Sequence, residues 1–284
     1  MMFPVKLRFG PAGMPLECKG KSLCEGIEYV AKKELNAFEV EFVRGVKGKV
    51  DEWKKARKSA EKNDVLLSCH APYWINCCSP VKEKQEITIR NLLQTARAAN
   101  ILGAYIIVFH PGYYQNLTKE EAMKNAIQLL EKVEKKMKVE KLNTRLGAET
   151  TGKISSFGNL HEVIELCKKL ENVFPVIDFA HLYARNHGNI KTKDEFNNII
   201  TNIKRELGSE YLKQLHCHFS GIEFSDKGEK NHLPISSKKP DFRELAKLLV
   251  NKNYKFTIIC ESPLLDKDAI EMKNIVNKMY HSQI

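Results

Sequence analysis

The chain has 284 residues, 43% of them apolar, and a formal net charge of +11 with a pI near 9.1. That is enough apolar material for one full core, and the expected organisation is a single domain over residues 1–284. No low-complexity tract, internal repeat or apolar run of bilayer length interrupts it, which excludes a repeat array and a helical membrane span.

Short apolar runs alternate with segments of helical spacing from one end to the other. A strand is expected over Val5 to Phe9, then a tight turn at Gly10-Pro11-Ala12-Gly13 that lacks the pattern of a dinucleotide-binding loop. A helix over Ser22 to Leu35 follows, opened by a capping box of Ser22 and Glu25. The second unit pairs a strand at Ala37 to Phe42 with a helix from Asp51 to Lys62. The third strand ends at His70, a loop carries Ala71 to Pro80, and a helix runs from Val81 to Leu102.

The remaining strands are expected at Tyr105 to His110, Arg145 to Glu149, Val173 to Asp178, Leu212 to His218 and Phe256 to Glu261. Their helices are Thr118 to Lys138, Asn159 to Leu170, Lys193 to Leu207, Asp241 to Asn251 (after a long loop) and Asp266 to Tyr280. Runs that are apolar throughout suit parallel strands covered on both faces. Eight such units give an α/β fold, a single (β/α)8 TIM barrel with its functional face at the strand C-termini. A doubly wound open sheet, the alternative, would scatter the strand ends along an edge.

Six of these runs stop at an imidazole or a carboxylate: His70, His110, Glu149, Asp178, His218 and Glu261. In a barrel such endings converge at one mouth. Asp178 and His181, three apart, can turn to the same side in a first helical turn. Mixed imidazole and carboxylate donors suit zinc or manganese better than magnesium. Any one of these histidines alone reads more simply as structural; the set reads as a metal centre.

Eight cysteines without a Cys-x-x-Cys pair read as reduced thiols. Cys69, Cys217 and Cys260 each precede a site residue, so they are expected to face away from it, into the layer between sheet and helices. The opening Met1 to Lys6 has neither the apolar segment nor the cleavage site of a signal peptide, and the expected location is cytoplasmic. The basic balance fits a polyanionic partner, although lysine-rich helices such as Leu130 to Lys138 read equally well as solvated faces.

Through Gly10-Pro11-Ala12-Gly13, His70-Ala71-Pro72-Tyr73-Trp74-Ile75-Asn76, Val108-Phe109-His110-Pro111-Gly112, Ala148-Glu149-Thr150-Thr151-Gly152-Lys153, Ile177-Asp178-Phe179-Ala180-His181 and Cys260-Glu261-Ser262-Pro263, the chain resembles the endonuclease IV family of abasic-site DNA endonucleases, within the xylose isomerase-like barrels. The resemblance implies a centre of up to three zinc ions, with manganese as an alternative at some subsites, that cleaves the phosphodiester 5′ to an abasic site in double-stranded DNA during base excision repair. It implies that Glu149 and Glu261 bridge metals and serve catalysis, and that His70, His110, Asp178, His181 and a histidine of the seventh strand complete the coordination. A monomer is expected to suffice.

The match loosens at the seventh strand, which reads His216-Cys217-His218. Residues 216 and 218 share a face, and His218, nearer the strand end, is the expected ligand. The family's Asp-x-His pair in the following loop is absent; Glu229 and His232 are the expected substitutes at a different spacing. Beside His70, Tyr73 and Trp74 are candidates to wedge into the base stack, with the wall of a small-molecule pocket as the plainer reading. Arg44, with Lys47 and Lys49, is a candidate for phosphate contact. The competing function is a metal-dependent sugar isomerase or epimerase of the same superfamily, whose site needs fewer ions and a carboxylate free for proton transfer. A barrel that binds damaged DNA without cutting it is the third reading.

Overall fold

The computed structural model describes residues 5–282. Eight parallel strands form a nearly closed barrel: β1 (Arg8–Pro11), β2 (Ala37–Glu41), β3 (Leu66–His70), β4 (Ile106–Phe109), β5 (Arg145–Glu149), β6 (Val173–Asp178), β7 (His216–Phe219) and β8 (Thr257–Cys260). Their order around the sheet is β1-β8-β7-β6-β5-β4-β3-β2. Between β1 and β2 the seam is held by Asn36 N donating to Phe9 O at 3.0 Å and Gly13 N to Glu39 O at 2.9 Å. This is the TIM barrel expected from the strand and helix alternation.

Nine helices surround it among the described residues: α1 (Leu23–Lys32), α2 (Val50–Lys62), α3 (Lys82–Leu102), α4 (Lys119–Val139), α5 (Leu160–Lys169), α6 (Phe179–Arg185), α7 (Lys193–Leu207), α8 (Phe242–Asn251) and α9 (Asp266–His281). Ser22 and Glu25 make the expected capping box on α1. Thr118 with Glu121 and Asn159 with Glu162 do the same for α4 and α5.

The period-2 alternation of each strand divides the molecule into two layers. Outward residues such as Phe38, Leu67, Cys69, Ile107, Phe109, Leu146, Ile177, Cys217, Phe219, Ile258 and Cys260 join the large core beneath the helices. Each fully buried Leu, Ile or Phe there contributes about 1.5–3 kcal/mol. Inside the barrel Ile106, Val108 and Val176 form a small separate apolar cluster, with Tyr105 and Phe174 packed against it. Above and beside that plug the inward positions are polar, which is where the site is built.

Three local expectations are corrected. The first strand begins at Arg8 rather than Val5 and includes Gly10 and Pro11, which were read as part of a turn. Pairing with β8, from Arg8↔Thr257 to Pro11↔Cys260, decides this, and a Cβ at Gly10 would stand 1.8 Å from Ala37 O, so the close approach of β1 to β2 requires glycine. The seventh strand starts at His216, not Leu212, because residues Ser209–Leu212 form a 3-10 turn. The long loop after it contains an antiparallel hairpin, Gly221–Ser225 with Gly228–Leu233.

Candidate metal centre

Glu149 ends β5 at the middle of the barrel mouth and is fully buried. Four imidazoles converge on its carboxylate. His70 Nε2 and His110 Nε2 lie 3.2 and 3.1 Å from Oε2; His218 Nδ1 and His181 Nδ1 lie 3.2 and 3.3 Å from Oε1. His218 Nδ1 also stands 3.1 Å from Glu261 Oε1.

Asp178 is the N-cap of α6, its Oδ1 accepting from His181 N at 2.7 Å. That cap bends the chain so that both side chains turn into the mouth, with His181 Nδ1 3.3 Å from Asp178 Oδ2.

The hairpin supplies the rest. Its register pairs Ile222 with His232 and Phe224 with Glu229, with a bulge between Glu223 and Phe224. Ile222 and Phe224 are two apart and share a face, so Glu229 and His232 share one too, although they are three apart in sequence. Lys230 is the residue the bulge absorbs. Glu229 Oε2 thereby reaches His181 Nε2 at 3.1 Å and accepts from Gly152 N at 3.0 Å, in space that a side chain at residue 152 would fill. His232 stacks edgewise on His181, with ring centroids 5.4 Å apart, and its Nε2 is 4.0 Å from Glu261 Oε2.

Two residues of the mouth escaped the sequence reading. Glu39 and Glu41 are inward positions of β2, in register with Ser68 and His70. Glu39 is fully buried and lies with His216 one layer below the mouth: His216 Nε2 is 3.1 Å from Glu39 Oε2, and Tyr105 Oη is 2.6 Å from His216 Nδ1. The signal was present as Glu-x-Glu in an otherwise apolar strand. Of the two seventh-strand histidines, His218 faces Glu149 and Glu261, whereas His216 faces Glu39 and Tyr105.

The donor atoms fit bound cations. Within 4.8 Å of one another lie one ligand atom each of His70, His110 and Glu149; of Glu149, Asp178, His218 and Glu261; and of His181, His232 and Glu261. Asp178 Oδ2, Glu261 Oε2 and Glu41 Oε1 are buried without a hydrogen-bond partner. Buried carboxylate oxygens without donors are costly unless a cation or a proton compensates them.

In the metal-free chain protons take that role at Asp178 and Glu41, while the Glu261 carboxyl, which burial alone would raise, is held well below the ordinary carboxylate range by His218. Burial pushes the Asp178 and Glu41 carboxyls up to about 8. Burial opposes a charged imidazole at His70, but Glu149, Glu41 and Glu39 outweigh it and hold His70 up at about 10. Glu149, which burial alone would raise, is held well below the ordinary carboxylate range by His110 and His218. Ligands must shed protons before they coordinate. Apparent affinity for a divalent ion is therefore expected to rise with pH until it passes about 8 to 10, where Asp178 and His70 lose their protons. Calorimetric titrations in buffers of different ionisation enthalpy would show the released protons; affinity independent of pH would contradict this assignment.

Around the mouth, Tyr73 and Trp74 are 57% and 51% exposed, large rings left in solvent. Tyr73 lies 6.2 Å from the His70 ring and 6.5 Å from that of His110. Tyr73 N donates to Val43 O at 3.4 Å, so the aromatic loop sits beside the loop that carries exposed Arg44, Lys47 and Lys49. The eight cysteines are free, and Cys69, Cys217 and Cys260 are buried facing away from the centre.

The profile of the family described as xylose isomerase-like TIM barrel matches residues 27–275. An uncharacterized protein of Methanocaldococcus jannaschii is 37% identical over 275 residues, 97% of this chain and 98% of that protein. A protein of Mycoplasma genitalium named probable endonuclease 4 is 30% identical over 212 residues, 72% of this chain and 70% of its own length. Among solved structures, a D-tagatose 3-epimerase-like protein superposes with a TM-score of 0.72 at 20% identity, covering 98% of this chain and 99% of its own.

Proposed function

Since the chain belongs to the xylose isomerase-like TIM barrel family, we propose that it is a metal-dependent endodeoxyribonuclease that cuts the phosphodiester 5′ to abasic sites in double-stranded DNA. The observation that carries this reading is the surplus of imidazoles. His70 and His110 stand on one side of Glu149, His218 with Asp178 and Glu261 on another, and His181 with Glu229 and His232 beyond them. One cation would leave most of these donors idle, while three adjacent zinc ions, or zinc with manganese, use all of them. The name of the Mycoplasma genitalium relative supports the same assignment.

Divalent ions held here would activate a water at neutral pH and neutralise charge on the attacking and leaving oxygens. The chain's residues set where that happens. Glu149, with His70 and His110 on one carboxylate oxygen and His218 on the other, would hold such ions together with these imidazoles. Glu261, between His218 and His232, links the second subsite to the third. Hydrogen bonds behind the rings aim them: His70 Nδ1 donates to Ala71 O at 2.8 Å and His181 Nδ1 to Thr150 O at 3.0 Å, leaving both Nε2 lone pairs toward the mouth. The exposure of Tyr73 and Trp74 beside the mouth supports a role in filling the gap left by a missing base, and the exposed Arg44 loop supports phosphate contact.

Glu41 favours the second reading, a sugar isomerase or epimerase. It is a carboxylate in the mouth outside every ligand group, with a buried unpartnered oxygen and an affinity for protons near neutrality, as proton transfer at carbon requires. Incubating the metal-replete protein with an abasic-site duplex and, in parallel, with ketohexoses separates the two. A nick 5′ to the lesion with a 3′-hydroxyl supports the nuclease; epimerised sugar with intact duplex overturns it. Tight lesion binding without a nick, in fully metallated protein, makes it a damage sensor.

Replacing both Tyr73 and Trp74 with Ala is expected to weaken binding to abasic duplex by roughly 1–3 kcal/mol per lost stacking contact while leaving intact duplex nearly unaffected. Removing Arg44, Lys47 and Lys49 is expected to weaken both and flatten the salt dependence. Fluorescence anisotropy titrations across salt concentrations measure both slopes; an aromatic double variant that kept its full preference for the lesion would remove the wedge.

A further inference from the structure

Each ring that faces the centre has two nitrogens, and what holds the rear one decides which nitrogen offers a lone pair in front. For His70 the rear partner of Nδ1 is a backbone carbonyl and for His232 it is the Ser220 hydroxyl at 2.7 Å, while His181 Nδ1 lies among Thr150 O, Glu149 Oε1 and Asp178 Oδ2 and leaves Nε2 to face Glu229. His218 is reversed. Its Nδ1 faces Glu149 and Glu261, and its Nε2 points down into the barrel, 2.9 Å from Glu39 Oε1.

Glu39 is fully buried and is held from every side. Ser68 Oγ donates to its Oε2 at 2.7 Å, and His216 Nε2 lies 3.1 Å from the same oxygen. His216 is held in turn by the Tyr105 hydroxyl on its Nδ1. The contact from His218 Nε2 to Oε1 is off the line of an ideal hydrogen bond, and the two Nε2 atoms also lie 3.3 Å from one another. Oε1 has no hydrogen bond of good geometry, and His218 Nε2 at 2.9 Å is the donor that stands against it; Glu39, His216 and His218 also offer one ligand atom each within 4.8 Å of one another.

With a cation at His218 Nδ1, the following assignment of protons fits these contacts. Tyr105 donates to His216 Nδ1, His216 Nε2–H and Ser68 donate to Oε2, and His218 Nε2–H donates to Oε1. The lone pair of His218 is then on Nδ1, at the centre.

We propose that Glu39 is a positioning residue for the metal centre: braced by Ser68, His216 and Tyr105, it fixes the His218 ring with Nδ1 toward Glu149 and Glu261. This rests on the reading of His218 as a metal ligand. Glu39→Gln keeps the shape but turns an amide NH2 toward one of the two imidazole N–H groups. The tautomer that relieves this at His218 carries its proton on Nδ1, where it blocks coordination.

The test is titration of purified, metal-stripped protein with cobalt(II), following the visible absorption of the bound ion. Circular dichroism and a cooperative melt establish folding. Glu39→Gln is expected to bind cobalt about 10–100-fold more weakly at one subsite, as loss of a carboxylate behind a ligating imidazole does. Full stoichiometry should return at high cobalt, with an altered spectrum. Wild-type affinity and spectrum in folded Glu39→Gln would overturn the proposal. So would an ion that no cobalt concentration restores, since that makes Glu39 itself a ligand.

If Glu39→Gln does not fold, Ser68→Ala carries the test, with a smaller loss expected in the same direction; unchanged cobalt binding there overturns it. His218→Ala runs alongside. If it retains all its cobalt, the metal-centre reading falls together with this inference; if it loses cobalt while Glu39→Gln does not, the inference falls alone.

Discussion

Glu149→Gln is expected to leave the barrel folded and to lower incision of abasic duplex by about 10³-fold or more, because several kcal/mol of transition-state charge stabilisation depends on the ions it would help hold. No other side chain in the mouth meets four imidazoles. An amide can accept through one oxygen only, so one imidazole pair keeps its partner and the other faces NH2. Single-turnover assays with saturating enzyme isolate this step from DNA binding. Turnover within tenfold of the parent would remove Glu149 from the centre.

Stripping the metals is the second large effect, and it is read in stability rather than activity. Ions that bind only the folded chain stabilise it by roughly 4 kcal/mol when present at about 1,000 times their Kd. For a domain of this size that corresponds to a fall in Tm on the order of 10 °C on chelation. The structural cause is the pair of buried oxygens on Asp178 and Glu261 that have no donor of their own. Differential scanning calorimetry before and after chelation, with zinc or manganese added back, measures it. A Tm indifferent to chelator would mean that these carboxylates are compensated within the protein.

Chain position alone made most of the centre legible. A parallel barrel brings every strand C-terminus to one mouth, so a polar residue ending an apolar run points to the site without knowledge of any contact. His70, Glu149 and Asp178 end β3, β5 and β6, His218 lies one residue before the end of β7, His110 and Glu261 directly follow β4 and β8, and the structure gathers the other five around the buried Glu149 carboxylate. The cysteines were legible for the same reason in reverse, since strand neighbours face opposite layers.

Two features were decided only by tertiary structure. The spacing of Glu229 and His232 places them on opposite faces of a regular strand; the bulge at Lys230 reverses that, and a bulge is set by the partner strand rather than by local sequence. Glu39 and Glu41 lie inside the run Ala37 to Phe42, which stops at an apolar residue and so does not display them as strand-end groups, although Glu41 ends β2 in the structure. Which face of β2 points inward depends on its register with β3, Glu39↔Ser68 and Glu41↔His70, and on closure of the seam with β1. A shift of one residue would have turned both carboxylates out and Phe38 and Val40 in. The alternation and the strand-end imidazoles and carboxylates follow from period and position, whereas the Glu39 layer behind His218 exists only once the barrel has closed and its registers are fixed.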